Sequence, residues 1–397
     1  MTEDGMDRKG GLPAMRVAER LDRARHRLAE CSVDALLVTT LPNVRYLTGF
    51  SGSAGVVVLT AEGILLTTDG RYRTQSGQQL EDAGASGVVD IEIGGAEAQR
   101  QAVRSLLVAS GARRIGLEAD TVSWAAARRW AELLEARLPE SSEGAEPEGG
   151  GMELVPTSRC IEALREVKDE AEIFRMARAA AIADAALDDV RELLRAATSR
   201  RVTEVEVALE LDTAMRRRGA EDRAFDTIVA SGPNSAKPHH QPTARPLGAG
   251  DPVVIDFGAT FDGYRSDMTR TFCIGAEPSG ELARVFAVVG ESQAAGVAAV
   301  RAGVGAKEVD DACREVIASA GWAEAFEHGT GHGVGLDIHE APTVSPLGTA
   351  ILEPGVVVTV EPGVYLPEIG GVRIEDTLVV TDDGSQTLTT FSKDVVA

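Results

Sequence analysis

Apolar positions recur along the chain with two different periods, and the changes of period mark out its elements. Over 16–30, Val17, Leu21 and Leu28 stand at helical spacing among Arg and Glu, which predicts an amphipathic helix. The runs 34–40 (DALLVTT) and 55–60 (GVVVLT) are short and continuously apolar, as buried strands are, and 64–68 (ILLTT) is placed to pair with the second. A short strand at 115–117 and a helix over 122–137 complete what reads as an α/β half. Helical patterns then run from about 161 to 197 and from 203 to 218; in the second, Thr203 followed by Glu206 forms a capping box. Helices near 279–301 and 306–320 alternate with hairpin-like strands. The stretches 203–219 and 307–321 share Glu-Val near the start, Ala in the middle and Gly at the end, a faint sign of internal duplication.

Length and composition fit this two-part pattern. A chain of 397 residues exceeds what one core usually serves, and its 44% hydrophobic and 26% charged residues are ordinary for a folded soluble protein. The boundary is expected near 160, giving domains 1–160 and 161–397. Just before it, 139–151 (PESSEGAEPEGGG) lacks aromatic and β-branched residues and reads as a mobile acidic loop. A net charge of −22 repels phosphate backbones, which argues against a nucleic-acid partner. The cysteines Cys31, Cys160, Cys273 and Cys313 lie far apart and form no CxxC pair, so neither a zinc knuckle nor a disulfide framework is expected and a reducing compartment is the simplest reading. With no apolar run at the N-terminus and no uncharged apolar stretch of about 18 residues, neither a signal peptide nor a membrane span is expected, and the location is read as cytoplasmic.

The chemistry is concentrated between 239 and 375. Asp262-Gly263 is a two-residue hairpin turn signal inside VVIDFGATFDGYRSDMTRTF. With that turn, Asp267 stands opposite Gly258, and Asp256 becomes its diagonal neighbour on the same face, about 7 Å away at Cα. An aspartate inside so apolar a strand is costly unless something satisfies it, and two at this spacing can converge on a cation. His328-Gly-Thr-Gly-His332-Gly-Val-Gly is a glycine-rich loop; Gly329 rules out HExxH, and neither a dinucleotide fingerprint nor a phosphate loop fits. Glu361 ends an apolar strand directly before Pro362-Gly363. In Val372–Asp376, Arg373 and Glu375 alternate to one face while Val372 and Ile374 take the other. Asp256, Asp267, His332, Glu361 and Glu375 together supply four carboxylates and one imidazole. That set suits Mn²⁺, with Co²⁺ or Zn²⁺ less preferred, and its charge calls for two divalent ions.

These residues, in this order, resemble the ligand set of the "pita-bread" M24 metallopeptidases. SGPNSAKPHH, DGYRSDMTRTF, HGTGHGVGLDIHE and VEPGVY…GGVRIED resemble the Xaa-Pro branch, the prolidases and aminopeptidases P. NVRYLTGFSGSAG and TTDGRYRTQ resemble the creatinase-like N-terminal domain of that branch. The resemblance implies an α/β creatinase-like domain followed by an α+β pita-bread catalytic domain with a curved antiparallel sheet. It implies hydrolysis of the Xaa-Pro bond in dipeptides or short peptides by a hydroxide bridging two metals, on a homodimer. Asp256, Asp267, His332, Glu361 and Glu375 then hold the metals, with Glu361 also shuttling a proton. His239 and His339 contact the substrate and stabilise the oxyanion, His328 lines the proline pocket, and Arg373 stands near the substrate's carboxyl side. His240 is left as a bystander. Competing readings are a metal-dependent hydrolase or lyase of a small non-peptide molecule, and a non-catalytic binding protein on the same fold.

Overall fold

The computed structural model describes residues 11–135 and 151–396. The expected acidic loop therefore lies outside the described residues except for Gly151. The chain divides into two compact units, Met1–Arg165 and Glu166–Ala397.

The first unit is built on a six-stranded mixed sheet. In spatial order its strands are Asp90–Ile93, Ile64–Thr68, Gly55–Thr60, Ala35–Val38, Arg114–Glu118 and Glu153–Thr157. The expected strands are present, and Ile64–Thr68 pairs antiparallel with Gly55–Thr60. Every residue of Ala35–Val38 is buried, which explains its unbroken apolar run. Helices Val17–Glu30 and Trp124–Leu134 form where periodicity placed them; Ser123 caps the second by accepting from the Ala126 N–H. One buried acid of this unit is closely paired. The Glu118 carboxylate accepts from the backbone N–H groups of Thr39 (2.7 Å) and Thr40 (2.8 Å), from both threonine hydroxyls and from Asn43. One expectation fails here. Cys31 and Cys160, 129 positions apart, are joined as a disulfide, while Cys273 and Cys313 are free and buried. A pairing brought about by folding over such a distance leaves no trace in local cysteine spacing.

In the second unit every pairing between named strands is antiparallel. A five-stranded sheet runs Glu340–Val344, Gly331–Gly333, Val357–Val360, Asp376–Thr381, Gly384–Thr387, and a three-stranded one Met268–Cys273, Pro252–Phe257, Ile228–Ser231. Each backs onto its own core. Helices Glu170–Ala196 and Glu204–Arg217 contribute Leu187, Leu194, Leu211 and Met215 to one, with Ile255 and Phe272 from the strands. Helices Gly280–Ala299 and Ala306–Ser319 contribute Val285, Val289, Val309 and Ile317 to the other, with Val358, Val360 and Leu378. Two helix pairs, each packed on strands, is the arrangement that a duplication would leave. The long helix expected from 161 is broken: a single turn, Glu162–Arg165, is followed by extended backbone in which Val167 bridges Val356. The main helix starts only at Glu170, where Asp169 and Glu172 close a capping box. The Thr203–Glu206 box forms as expected.

The hairpin that sets the aspartate spacing follows the expected register. Thr260 faces Arg265 and Phe261 faces Tyr264 around Asp262-Gly263, and beyond the turn Phe257 faces Met268 and Asp256 faces Thr269. Both turn residues adopt positive φ, 44° and 74°. The buried Arg175 pins the turn by donating to Asp262 (2.7 Å), and Tyr264 donates its hydroxyl proton to Glu172 (2.9 Å). Gly258 is required by close approach, since a Cβ there would lie 1.9 Å from the Ser266 carbonyl oxygen.

Candidate metal centre

Four strand ends deliver acidic side chains to one place. Asp256 is the penultimate residue of Pro252–Phe257, and Asp267 directly precedes Met268–Cys273. Glu361 follows Val357–Val360, its N–H bonded to the Thr330 carbonyl (2.8 Å). Glu375 sits with Ile374 in the two-residue step between Arg373 and Asp376, its N–H bonded to the Thr269 carbonyl (3.1 Å). Val372 and Ile374 point into the core while Arg373 and Glu375 face the centre, as alternation predicts. One oxygen each of Asp256, Asp267 and Glu375 lies within 4.8 Å of the others. His332, in the middle of Gly331–Gly333, places Nε2 3.6 Å from Asp267 and 3.4 Å from Glu361. The fivefold set expected from sequence is thus brought together.

The hydrogen bonding shows what the cluster lacks. His332 Nδ1 faces the Gly333 carbonyl oxygen at 3.0 Å, and since a carbonyl only accepts, Nδ1 carries the proton. Nε2 therefore turns a lone pair toward carboxylate oxygens, which are themselves acceptors. Burial holds the His332 pKa below its usual value, so the ring stays neutral and supplies no positive charge. Asp256 Oδ1 is buried with no hydrogen-bond partner among the described residues. Lone pairs converging without a donor between them are the arrangement that a cation satisfies.

The electrostatics agree. Burial, then repulsion from Glu375, Asp256 and Glu361, raises the Asp267 pKa well above the usual carboxylate range. Burial and the charges of Glu361 and Asp256 do the same for Glu375. Glu361 is pushed up to about 8, again chiefly by burial, with Arg373 pulling the other way. Carboxylates that resist ionisation at neutral pH need positive charge to hold them ionised together. Arg373 supplies part of it. Its guanidinium is buried, donates to Asp256 Oδ2 (2.7 Å), Thr269 Oγ1 (3.1 Å) and Tyr365 Oη (2.7 Å), and reaches the Pro238 carbonyl (3.4 Å). Arg373, expected near the substrate's carboxyl side, is thus committed to Asp256, and a substrate carboxylate would have to share it. Thr269 donates to Glu375 (2.7 Å) and Thr359 to Glu361 (3.1 Å), fixing two carboxylates from behind.

The cluster opens into a cavity of about 780 Å³ that His239, His328 and His339 also line. The His339 ring stands 4.4 Å from that of His332. His328 is neutral, its pKa pushed down to about 4, mainly by burial. Its Nδ1 donates to the Gly329 carbonyl (2.8 Å), leaving Nε2 to accept from the Tyr365 hydroxyl (2.8 Å). Arg373, Tyr365 and His328 thereby form a continuous chain. Sequence reasoning gave Tyr365 no role; the signal was its place four residues beyond Glu361 on the strand after Pro362-Gly363. It also missed Thr269 and Thr359, whose hydroxyls are indistinguishable in sequence from ordinary strand threonines.

A mixed α/β unit followed by an antiparallel-sheet unit, with a buried carboxylate–imidazole set at its strand ends, defines a two-domain metallohydrolase. Residues 175–382 match metallopeptidase family M24, and residues 20–167 match the creatinase/prolidase N-terminal domain. Over 370 residues the chain is 35% identical to the Xaa-Pro dipeptidase of Pyrococcus horikoshii, covering 92% of this chain and 95% of that one. A solved structure of Xaa-Pro dipeptidase from Bacillus anthracis is 36% identical and superposes with a TM-score of 0.86, over 96% of this chain and 99% of that one. The X-Pro aminopeptidase from Thermotoga maritima is 33% identical, with a TM-score of 0.80 over 94% and 99%. The chain belongs to metallopeptidase family M24 and carries a creatinase-like N-terminal domain before the pita-bread domain. Among the described residues no helix is long and apolar enough to cross a membrane.

Proposed function

We propose that this enzyme hydrolyses the Xaa-Pro bond of dipeptides, with Asp256, Asp267, His332, Glu361 and Glu375 holding two divalent ions. The carrying observation is the converging acceptor set, in which three carboxylates lie within 4.8 Å and the His332 Nε2 lone pair faces two of the centre's oxygens. The names of the relatives supply the substrate class, since both the dipeptidase and the aminopeptidase relatives are named for action at Xaa-Pro. When bound, the ions would supply Lewis-acid activation of water and of the scissile carbonyl.

The chain's own residues do the rest. Glu361, whose basicity the cluster raises, takes the proton from the attacking water and passes it to the leaving proline nitrogen. His239 and His339, on the open side of the cavity, donate to the developing oxyanion. The neutral His328 ring, held by Tyr365, forms a wall for the proline ring. Arg373 keeps Asp256 oriented, and the carboxyl side of the substrate would share its guanidinium. Hard oxygen donors with a single nitrogen favour Mn²⁺. The reading extends to a homodimer, which light scattering checks.

The test is turnover of Ala-Pro and Ala-Pro-Ala by protein of measured metal content. Mn²⁺-dependent release of proline from Ala-Pro, with slower cleavage of Ala-Pro-Ala, is expected. A fully metallated protein that cleaves neither contradicts the proposal.

A further inference from the structure

Another buried carboxylate in the same unit has no part in the chemistry described so far. Glu204 opens helix Glu204–Arg217 directly after the Thr203 cap, and its side chain is completely buried. It accepts six hydrogen bonds from one loop. Oε1 takes the Ser231 N–H (2.8 Å), the Ser231 hydroxyl (2.8 Å) and Asn234 Nδ2 (3.0 Å). Oε2 takes His240 Nε2 (2.9 Å), the Thr243 N–H (3.0 Å) and the Thr243 hydroxyl (2.6 Å). Both ends and the middle of the 231–243 segment are therefore gathered on one side chain. Burial alone would raise the pKa of this acid, but the donors of Thr243, Asn234, His240 and Ser231 outweigh it and bring it down to about 2. The helix N-terminus favours the same charge. An ionised carboxylate cannot donate, so the proton of the Glu204–His240 contact belongs to His240 Nε2.

The other side of this loop meets the metal-centre strands. Gly371 donates its N–H to Ser235 Oγ (2.8 Å), and a Cβ on Gly371 would lie 2.1 Å from the Ser235 carbonyl oxygen, so the two backbones touch. Arg373 reaches the Pro238 carbonyl (3.4 Å). Between Pro238 and the clasped His240 stands His239; both histidines border the cavity that the carboxylate cluster lines, His239 being exposed and the His240 side chain 8% exposed. His239 stands in the turn that the His240 N–H closes by donating to the Lys237 carbonyl (3.2 Å), so seating His240 on Glu204 fixes the turn that carries His239.

We propose that Glu204 is a positioning residue: by holding His240 through Nε2 it fixes the 231–243 loop so that His239 is presented to the substrate cavity. His240 is then the held half of a pair whose exposed half works on the substrate, and not the bystander that the sequence suggested. The inference rests on the reading of His239 given under the proposed function.

The test is a double-mutant cycle on the Mn²⁺-loaded enzyme with Ala-Pro as substrate. Glu204→Gln, which keeps the shape and removes the charge, is expected to lower kcat about tenfold at unchanged metal content. In a His239→Ala background the same change is expected to lower kcat less than about twofold, because the residue it positions is gone. An equal loss in both backgrounds, or a loss that tracks released metal, overturns the proposal. Should Glu204→Gln fail to fold, His240→Ala replaces it in the same cycle with the same two outcomes. A readout independent of turnover is the ¹⁵N spectrum of the histidine rings. His240 is expected to be protonated at Nε2, with the His239 resonances shifting in Glu204→Gln. An unprotonated Nε2, or His239 signals unmoved by the substitution, overturns the clasp even in a protein that cleaves no Xaa-Pro bond.

Discussion

Two sets of buried carboxylates lie in one unit and stand in opposite electrical states. Glu204 is surrounded by donors, and its pKa falls to about 2. Asp267, Glu361 and Glu375 are surrounded by one another, and theirs rise, that of Glu361 to about 8. Glu118 in the first unit has donors all round, like Glu204. Burial is common to all of them, so it cannot be what marks a site. The difference lies in what faces the oxygens. Where N–H and O–H groups converge, the carboxylate is structural; where acceptors converge and one buried oxygen, Asp256 Oδ1, has no partner, a cation is called for.

The contrast is most severely tested by removing one carboxylate from the donor-poor set. Asp267→Ala is expected to reduce Ala-Pro turnover by about a thousandfold or more, with metal lost from at least one site, since Asp267 lies between Glu375, Asp256 and His332. Titration calorimetry alongside activity would read both.

Stability against pH should separate the two sets next. Glu361 has a folded pKa of about 8 against an ordinary 4.5, so between those values the metal-free folded state binds more protons than the unfolded chain. Stability of the metal-free protein should therefore fall as pH rises from 4.5 to about 8. Mn²⁺ should abolish that loss, with protons released on binding. Glu204 runs the other way. Its folded pKa of about 2 lies below 4.5, so its contribution is present above 4.5 and is lost as pH falls toward 2. Thermal melts across pH with and without metal, repeated on Glu204→Gln, check both signs.

A smaller effect is expected from Gly258→Ala. A Cβ 1.9 Å from the Ser266 carbonyl must push the hairpin strands apart. The expected cost is about 1–3 kcal/mol of stability, with Mn²⁺ affinity reduced because Asp256 and Asp267 sit on opposite sides of that contact. Urea denaturation and metal titration would show it.

The sequence carried the centre well because its determinants are local. A two-residue turn at Asp262-Gly263 fixes the register that faces Asp256 toward Thr269, and alternation alone puts Arg373 and Glu375 on the face opposite Val372 and Ile374. The Thr203–Glu206 box was legible for the same reason. Features that depend on distant pairing were not. Nothing near Cys31 points to Cys160, and nothing near Glu204 announces that Ser231, His240 and Thr243 will converge on it. The break before Glu170 was hidden because 166–168 is bridged to Val356, nearly two hundred positions later, and the capping box at Asp169 lies inside an otherwise continuous helical pattern. Tyr365 reads as an ordinary strand aromatic until Arg373 and His328 are seen on either side of its hydroxyl.

Counting bound metal decides most directly whether these scattered acids form one centre. Elemental analysis of protein equilibrated with Mn²⁺ and desalted should give two ions per chain for the wild type and at most one for Asp267→Ala. A wild-type chain that retains none, or an Asp267→Ala chain that still carries both, would contradict the assignment.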